Sequence, residues 1–259
     1  MTPHSLLSKR LILFLAGNAL LFVEVVKEFR RGKWKMDMVW EQVFQIGSRS
    51  LPVVLITTGF IGMVMALQFG IGLEKFGGKL YIPKVISLSI VRELGPVFAS
   101  IMIAARVGSG MTSEIGSMKV TEQIDAIRAL GTSPIAKIVL PRVLGCLIAL
   151  PLLAVFANTI GIFGGLVVGV NDLGLDPQYY FQKVYSTIKA TDYISGISKT
   201  PFFAFIVSIF ACHYGLNVRG GTKGVGLATT KTVVAASIAI LIGDYFLTKL
   251  FWVLGTWLL

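Results

Sequence analysis

The sequence is poor in charge and has very few histidines. Only 14% of its 259 residues are charged, and it has two histidines, His4 and His213. Two such isolated histidines do not supply a Ser/His/Asp set, and the H-E-x-x-H order of a zinc protease is absent. The glycine-rich stretch at 220–226, GGTKGVG, lacks the order of a phosphate-binding loop. The sequence therefore predicts a protein that is not an enzyme and does not itself hydrolyse ATP.

Cysteine is also scarce, which bears on how the fold is held together. Cys146 and Cys212 are the two cysteines of the chain, and both lie in apolar runs. A buried free cysteine behaves as a small apolar side chain. We therefore expect two unpaired core residues rather than a disulfide.

Long apolar runs are what the sequence has in abundance. Hydrophobic residues make up 54% of it, and its mean hydropathy is +0.78. A helix of about 20 apolar residues crosses a bilayer, and continuous rather than alternating runs favour helices over a β-barrel. We predict an all-α polytopic membrane protein with five spans, at about 51–73, 83–105, 138–170, 201–216 and 225–258.

The basic residues orient these spans. The net charge is +11, and 16 of the 24 basic residues fall in the N-terminal region and in the loops at 106–142 and 219–231. Basic residues collect in cytoplasmic loops, so the excess indicates a membrane topology rather than a nucleic-acid partner. The rule places the N-terminus in the cytoplasm and the C-terminus outside. The loop at 171–200 is then external, and its DPQYYFQKVYSTI stretch predicts a short helix at the outer interface.

The first 50 residues read as a separate region. Residues 11–23 are apolar but short, and EVVKEFRRGKWK follows them without a small-residue cleavage site. We predict an interfacial helix region over 1–50, lying along the membrane, and a five-span membrane domain over 51–259.

Glycines recur at helical spacing in the third and first spans. Gly161, Gly165 and Gly169 are four residues apart, and Gly59 and Gly62 precede Ala66 in a similar way. Small residues at this spacing let two helices approach closely. Either internal packing or a seam between two copies of the chain accounts for them.

The stretch VRELGPV at 91–97 places two opposite charges inside the second span. Pro96 has no N–H, so the carbonyl of Arg92 loses its helical partner, and Gly95 loosens the same turn. Charges in hydrocarbon are costly and commonly functional. We predict an interrupted helix at which Arg92 and Glu93 either line a binding pocket or brace the bundle by ion pairs. Gln68 in the first span is a second polar candidate for the same cavity.

The loop after the second span predicts a short amphipathic helix with defined ends. In TEQIDAIRALGTSP, Thr121 is the expected N-cap, acidic residues occupy the first turn, and Gly131 and Pro134 end the helix. Ile124, Ile127 and Leu130 form an apolar stripe that is too short to span a membrane. Such a helix suits either docking onto a cytoplasmic partner or lying on the membrane.

Several stretches, taken in order, resemble one family. GFIGMVMALQ, LSIVRELGPV, AARVGSGMTSEIGSMKVTEQIDAI, LPRV, GIFGGLVVGV and TTKTVV resemble the MlaE/YrbE permeases, the membrane subunits of MCE-type ABC phospholipid transporters. The resemblance runs from about residue 59 to residue 244. One departure is Lys231 in TTKTVV, where relatives usually have an arginine. The departure matters because lysine keeps the positive charge but cannot make the bidentate hydrogen bonds of a guanidinium.

The resemblance implies a function, partners and site residues. A homodimer would work with a cytoplasmic ABC ATPase, which binds ATP and Mg, and with a periplasmic MCE-domain protein in the cell inner membrane. It would move phospholipids between inner and outer membranes and maintain outer-membrane lipid asymmetry, with no cofactor or metal in this chain. The residues carried over to the lipid pocket are Leu67, Gln68, Arg92, Glu93 and Leu94. Those carried over to the coupling helix, at about 121–131, are Glu122, Gln123, Asp125, Ile127, Arg128, Leu130 and Gly131.

Two other functions compete with this one. An ion-coupled secondary transporter would use Arg92 and Glu93 as a gated pair and would need no ATPase. A membrane scaffold would tolerate replacement of Glu93 as long as its complex assembled. Against the first alternative, the sequence shows no internal repeat of the kind that many secondary transporters have.

Overall fold

The computed structural model describes residues 3–32 and 35–257, and within them it contains helices and no strand. The α-helices are α1 (Pro3–Arg31), α2 (Met36–Glu74), α3 (Ile82–Ser89), α4 (Gly95–Ile103), α5 (Ser109–Val120), α6 (Gln123–Ala129), α7 (Leu140–Asn171), α8 (Pro177–Thr187), α9 (Ala190–Leu216) and α10 (Gly221–Trp257). Three π-helical turns also occur, at Ile90–Leu94, Ala104–Gly108 and Ile135–Val139. The all-α prediction is confirmed.

Five helical stretches are long and apolar enough to cross a membrane, as predicted. They are Met36–Glu74, Lys79–Val120, Ile135–Asn171, Ala190–Leu216 and Gly221–Leu254. The second is composite, because two π-helical turns join α3, α4 and α5 into one continuous rod. The fourth span was predicted to begin at residue 201, and this was wrong. Its helix begins at Ala190 and carries Asp192 and Lys199. Charged residues are typical of loop sequences, but these two form ion pairs within the bundle.

The N-terminal region is helical, but residue 50 is not a structural boundary, because α2 runs unbroken from Met36 through it. Helix α1 packs on α9 through aromatic pairs, with the rings of Phe14 and Phe210 and those of Phe22 and Phe205 each 5.0 Å apart. Its outer face carries Leu13 and Leu20, which are exposed. An apolar outer face suits a helix lying in a membrane interface, and that placement stays a prediction.

The regularly spaced glycines pack inside the monomer, where they bring α2 against α7. A Cβ added at Gly62 would lie 1.9 Å from the carbonyl oxygen of Gly161, and one added at Gly164 would lie 2.1 Å from that of Gly59. Both distances are far below contact, so the two backbones approach as closely as glycine allows. The internal-packing interpretation is confirmed for these residues.

The aromatic stretch outside the membrane spans forms α8, as predicted. Asp176 caps it by accepting a hydrogen bond from the Tyr179 N–H at 2.9 Å. Tyr180 is fully buried against α7, where a Cβ added at Gly165 or Gly169 would meet its ring or hydroxyl. This burial raises the pKa of the Tyr180 hydroxyl.

Candidate functional site

The VRELGPV stretch stays helical, and this corrects the prediction of an interrupted helix. The Gly95 N–H donates to the carbonyl of Ile90, five residues earlier, so the chain forms a π-helical turn instead of breaking. The Arg92 carbonyl, which Pro96 cannot serve, accepts a hydrogen bond from Lys199 Nζ at 3.2 Å. A π-helical turn inside an α-helix is frequently found at a functional site.

Arg92 is held by an aspartate at the beginning of α9. Its Nε donates to Asp192 Oδ1 at 2.8 Å, and its Nη2 donates to the same oxygen. The second oxygen of Asp192 accepts the Lys189 N–H at 3.0 Å and so caps α9. The Asp192 side chain is 5% exposed, whereas that of Arg92 is 53% exposed. The guanidinium is therefore anchored on one side and open on the other.

Glu93 belongs to a buried polar network that we name the Lys199 cluster, made of Glu93, Lys199, Asp244 and Thr248. The Lys199 side chain is 2% exposed, and its ammonium contacts Glu93, Asp244 Oδ1 at 3.0 Å and Thr248 Oγ1 at 2.7 Å. The Thr248 hydroxyl also bonds to Glu93. A buried ammonium needs such a shell, because an unpaired charge at this depth is costly. The cluster joins the second, fourth and fifth spans.

The five predicted pocket residues are not all brought together. Glu93 belongs to the Lys199 cluster, and Arg92 is next to it because its backbone carbonyl accepts the Lys199 hydrogen bond. Leu94 is partly buried and packs beside the apolar cluster around Ile90 and Tyr180. Leu67 and Gln68 lie on α2 and are exposed. Within the described residues, Gln68 shares no side-chain hydrogen bond with Arg92 or Glu93. A pocket containing all five therefore stays a prediction.

The sequence analysis missed the partners of Arg92 and Glu93. Lys199 was assigned to an external loop, and Asp192, Asp244 and Thr248 were not singled out. A signal was available, because Asp192 and Lys199 are seven residues apart, which places them on one face of a helix. Asp244 in LIGDYFL was likewise a lone charge inside an apolar run.

The short helix after the second span is α6, and the predicted cap at Thr121 was wrong. The Thr121 hydroxyl donates back to the Ser117 carbonyl at 3.0 Å, which extends the end of α5. Glu122 stands at the N-cap with a φ of 59°, and its side chain makes no capping bond. Gly131 follows the helix with a φ of 72°, as its predicted role as a stop requires.

Helix α6 is anchored on one side and exposed on the other. Ile124 is fully buried in a cluster with Ile115 and Val139, whereas Leu130 is 81% exposed. Asp125 accepts hydrogen bonds from Lys119 Nζ at 2.8 Å and Arg128 Nη1 at 3.1 Å. The Lys119 bond, followed by the charges of both cations, holds the pKa of Asp125 below its usual range. The arrangement fixes α6 against α5 and leaves an apolar tip free.

Comparison with known proteins decides the family. A family model described as "Permease MlaE" matches residues 39–250. The chain belongs to the MlaE permease family. A probable ABC transporter permease protein of Rickettsia conorii is 44% identical over 216 residues, which cover 83% of each chain. One of the same description from Synechocystis is 37% identical over 237 residues, covering 92% of this chain and 88% of the relative.

A plant relative extends the range of this MlaE family. The chloroplastic protein TRIGALACTOSYLDIACYLGLYCEROL 1 of Arabidopsis thaliana is 33% identical over 228 residues, which cover 88% of this chain and 65% of the relative. The matched region of the family model contains the Lys199 cluster, α6 and α8. The family match therefore extends across the whole candidate site.

Proposed function

We propose that this MlaE-family chain is the permease subunit of an ATP-driven ABC transporter that moves phospholipids between the inner and outer membranes. The observation that carries the proposal is the Lys199 cluster and its connection to α6. Glu93 lies on the same continuous helical rod, Lys79–Val120, whose end leads directly into α6. A force applied at α6 therefore has a rigid path to a polar site inside the membrane.

The chemistry of the site fits a phospholipid. Acyl chains require apolar walls, and a phosphate requires a cation that is only partly neutralised. Arg92 meets the second need, because it is half exposed and binds Asp192 with only part of its guanidinium. Leu67, Gln68, Glu93 and Leu94 border the proposed pocket, which a second copy of the chain completes. The Arabidopsis relative, whose name is that of a galactolipid, supports a lipid substrate.

The proposed partners are those that the resemblance to the MlaE/YrbE permeases implies. A cytoplasmic ABC ATPase, which binds ATP and Mg, docks on α6 through Ile127, Leu130 and the charged residues beside them. A periplasmic MCE-domain protein receives the lipid on the opposite face. The chain itself is a non-catalytic homodimeric subunit of the inner membrane, with its N-terminus in the cytoplasm and its C-terminus in the periplasm. ATPase closure pushes on α6 and narrows the pocket between the two copies.

Co-purification from detergent-solubilised membranes tests the docking of the ATPase on α6. Leu130→Asp should abolish ATPase recovery, because a charge at the exposed tip replaces an apolar contact. Phe76→Asp is the matched control, since Phe76 is also exposed, at 86%. It follows the C-terminal end of α2, on the side of the membrane opposite α6 in the proposed topology. This control should leave recovery unchanged. Equal ATPase recovery with both variants would remove α6 as the docking site, and no ATPase with the wild type would refute the ABC assignment.

A further inference from the structure

A second polar site lies between the first two spans. It is near the beginning of the first span and near the end of the second span, which leads to α6. A cleft of about 260 Å³ opens between α2 and the beginning of α5, and it is separate from the Lys199 cluster. Its polar lining comes from two helix faces, with Gln42, Gln45 and Arg49 on one side and Arg106, Gly110 and Glu114 on the other.

Both arginines stand where an uncharged run meets a charged region. Arg49 directly precedes the run 50–73, and Arg106 directly follows the run 94–105, and neither run contains a charged residue. A side chain at the edge of an apolar span lies at the level of the lipid headgroups. Two spans therefore present guanidinium groups at the same boundary of the membrane.

The cleft carries uncompensated positive charge. Arg106 Nη1 donates to the Ser50 hydroxyl at 3.0 Å, and within residues 12–32 and 35–254 neither Arg49 nor Arg106 contacts a carboxylate. The acidic residue of the cleft, Glu114, is already bound by Arg142 at 3.0 Å. Both arginines are exposed, so their remaining N–H groups are accessible.

We infer that this cleft binds the phosphate of an anionic phospholipid headgroup, at a site distinct from the proposed transport pocket. Arginine forks match phosphate oxygens in a bidentate manner. The apolar residues of the lining, Ile46, Val107 and Met111, accommodate the glycerol and the first acyl carbons. Gly110 leaves room, because a Cβ added there would meet no atom within 4 Å. The site needs no ATP and no transport, so it can be tested by binding alone.

The test is lipid binding to the full chain in detergent, measured by native mass spectrometry with phosphatidylglycerol and with phosphatidylcholine. Arg49→Gln should weaken phosphatidylglycerol binding about fivefold, as expected for one basic residue at a membrane surface. Arg49 makes no side-chain hydrogen bond or ion pair among the described residues, so this change removes no polar interaction of the fold. Gly110→Leu should weaken binding as well by filling the cleft. Arg219→Gln, which removes an exposed arginine that does not line the cleft, is the charge-matched control and should have no effect.

Each outcome decides the inference. Weaker phosphatidylglycerol binding with both cleft variants, little change for phosphatidylcholine and partial rescue by Arg49→Lys would support it. Equal binding by Arg49→Gln, Gly110→Leu and wild type would overturn it. Displacement of phosphatidylglycerol by inorganic phosphate at the same concentration would also overturn it, because the acyl chains would then contribute nothing and the ligand would be a soluble anion.

Discussion

At the scale of single residues, Lys199 is the side chain on which the intramembrane network depends. Its ammonium is the one cation of the Lys199 cluster and faces the carboxylates of Glu93 and Asp244. Removing one partner of a buried ion pair leaves an uncompensated charge, which costs more than the pair itself contributes. Lys199 also serves the Arg92 carbonyl, so it stabilises the π-helical turn.

Lys199→Met should therefore lower the free energy of unfolding by about 2–3 kcal/mol, at the low end for buried pairs because Glu93 is partly exposed. Lys249→Met is the matched control. Lys249 is exposed on the same helix as Thr248, so its loss should change stability by less than about 0.5 kcal/mol. Unfolding in detergent, followed by circular dichroism, measures both. Adding Glu93→Gln to Lys199→Met should recover part of the loss. A Lys199→Met protein as stable as the Lys249→Met protein would contradict this role for Lys199.

The sequence pointed to Arg92 and Glu93 but not to the residues that pair with them. Arg92 and Glu93 stand out because charge beside glycine and proline is unusual in an apolar run. Their partners Asp192 and Lys199 are about a hundred residues away, and only the packing of α9 against the second span brings them together. The ion pairs show that these residues brace the bundle, and a pocket lined by the half-exposed Arg92 stays a prediction.

At the scale of helices, the tightest contact is that between α2 and α7. It depends on glycines that leave the backbones in direct contact, with Gly62 facing Gly161 and Gly164 facing Gly59. In a membrane, helices associate mainly through such close packing, because lipid and side chains are equally apolar. The contact therefore places α2 relative to the rest of the bundle.

Gly62→Ala should destabilise the protein by about 1–3 kcal/mol, the usual cost of overpacking, because the new Cβ would overlap the Gly161 carbonyl. Gly72→Ala, on the same helix, is the control. A Cβ at Gly72 meets no atom within 4 Å, and alanine favours a helix over glycine by up to about 1 kcal/mol. Thermal unfolding of both variants in the same detergent gives the comparison. A Gly62→Ala protein as stable as the Gly72→Ala protein would show that the two helices are not in close contact.

Helix existence was easier to predict from the sequence than helix ends. Apolar length is enough to identify all five spans, and Asp176 and Gly131 lie at helix ends as their residue types suggest. The beginning of α9 was missed because Asp192 and Lys199 look like loop residues until their partners are known. The predicted cap at Thr121 was wrong because Thr121 ends α5, where its hydroxyl donates to the Ser117 carbonyl.

At the scale of the whole molecule, the five spans combine a polar site between helices with the exposed apolar tip of α6. The rod formed by α3, α4 and α5 connects the two, and its π-helical turns lie at Arg92–Glu93 and at Arg106. In a rigid helix, a displacement at one end is transmitted directly to the other end. This layout fits a permease driven from outside the chain better than one driven by ions alone.

The most direct test of this account is phospholipid transfer by proteoliposomes that contain the chain with the proposed ATPase and MCE-domain partners. We predict that transfer of a fluorescent phospholipid requires ATP. We also predict that Glu93→Gln slows it by at least about tenfold, equivalent to losing one charge-assisted hydrogen bond in the rate-limiting state, while the ATPase stays bound. Transfer that proceeds without ATP and follows a membrane potential or a pH gradient would contradict the account and would instead identify an ion-coupled transporter.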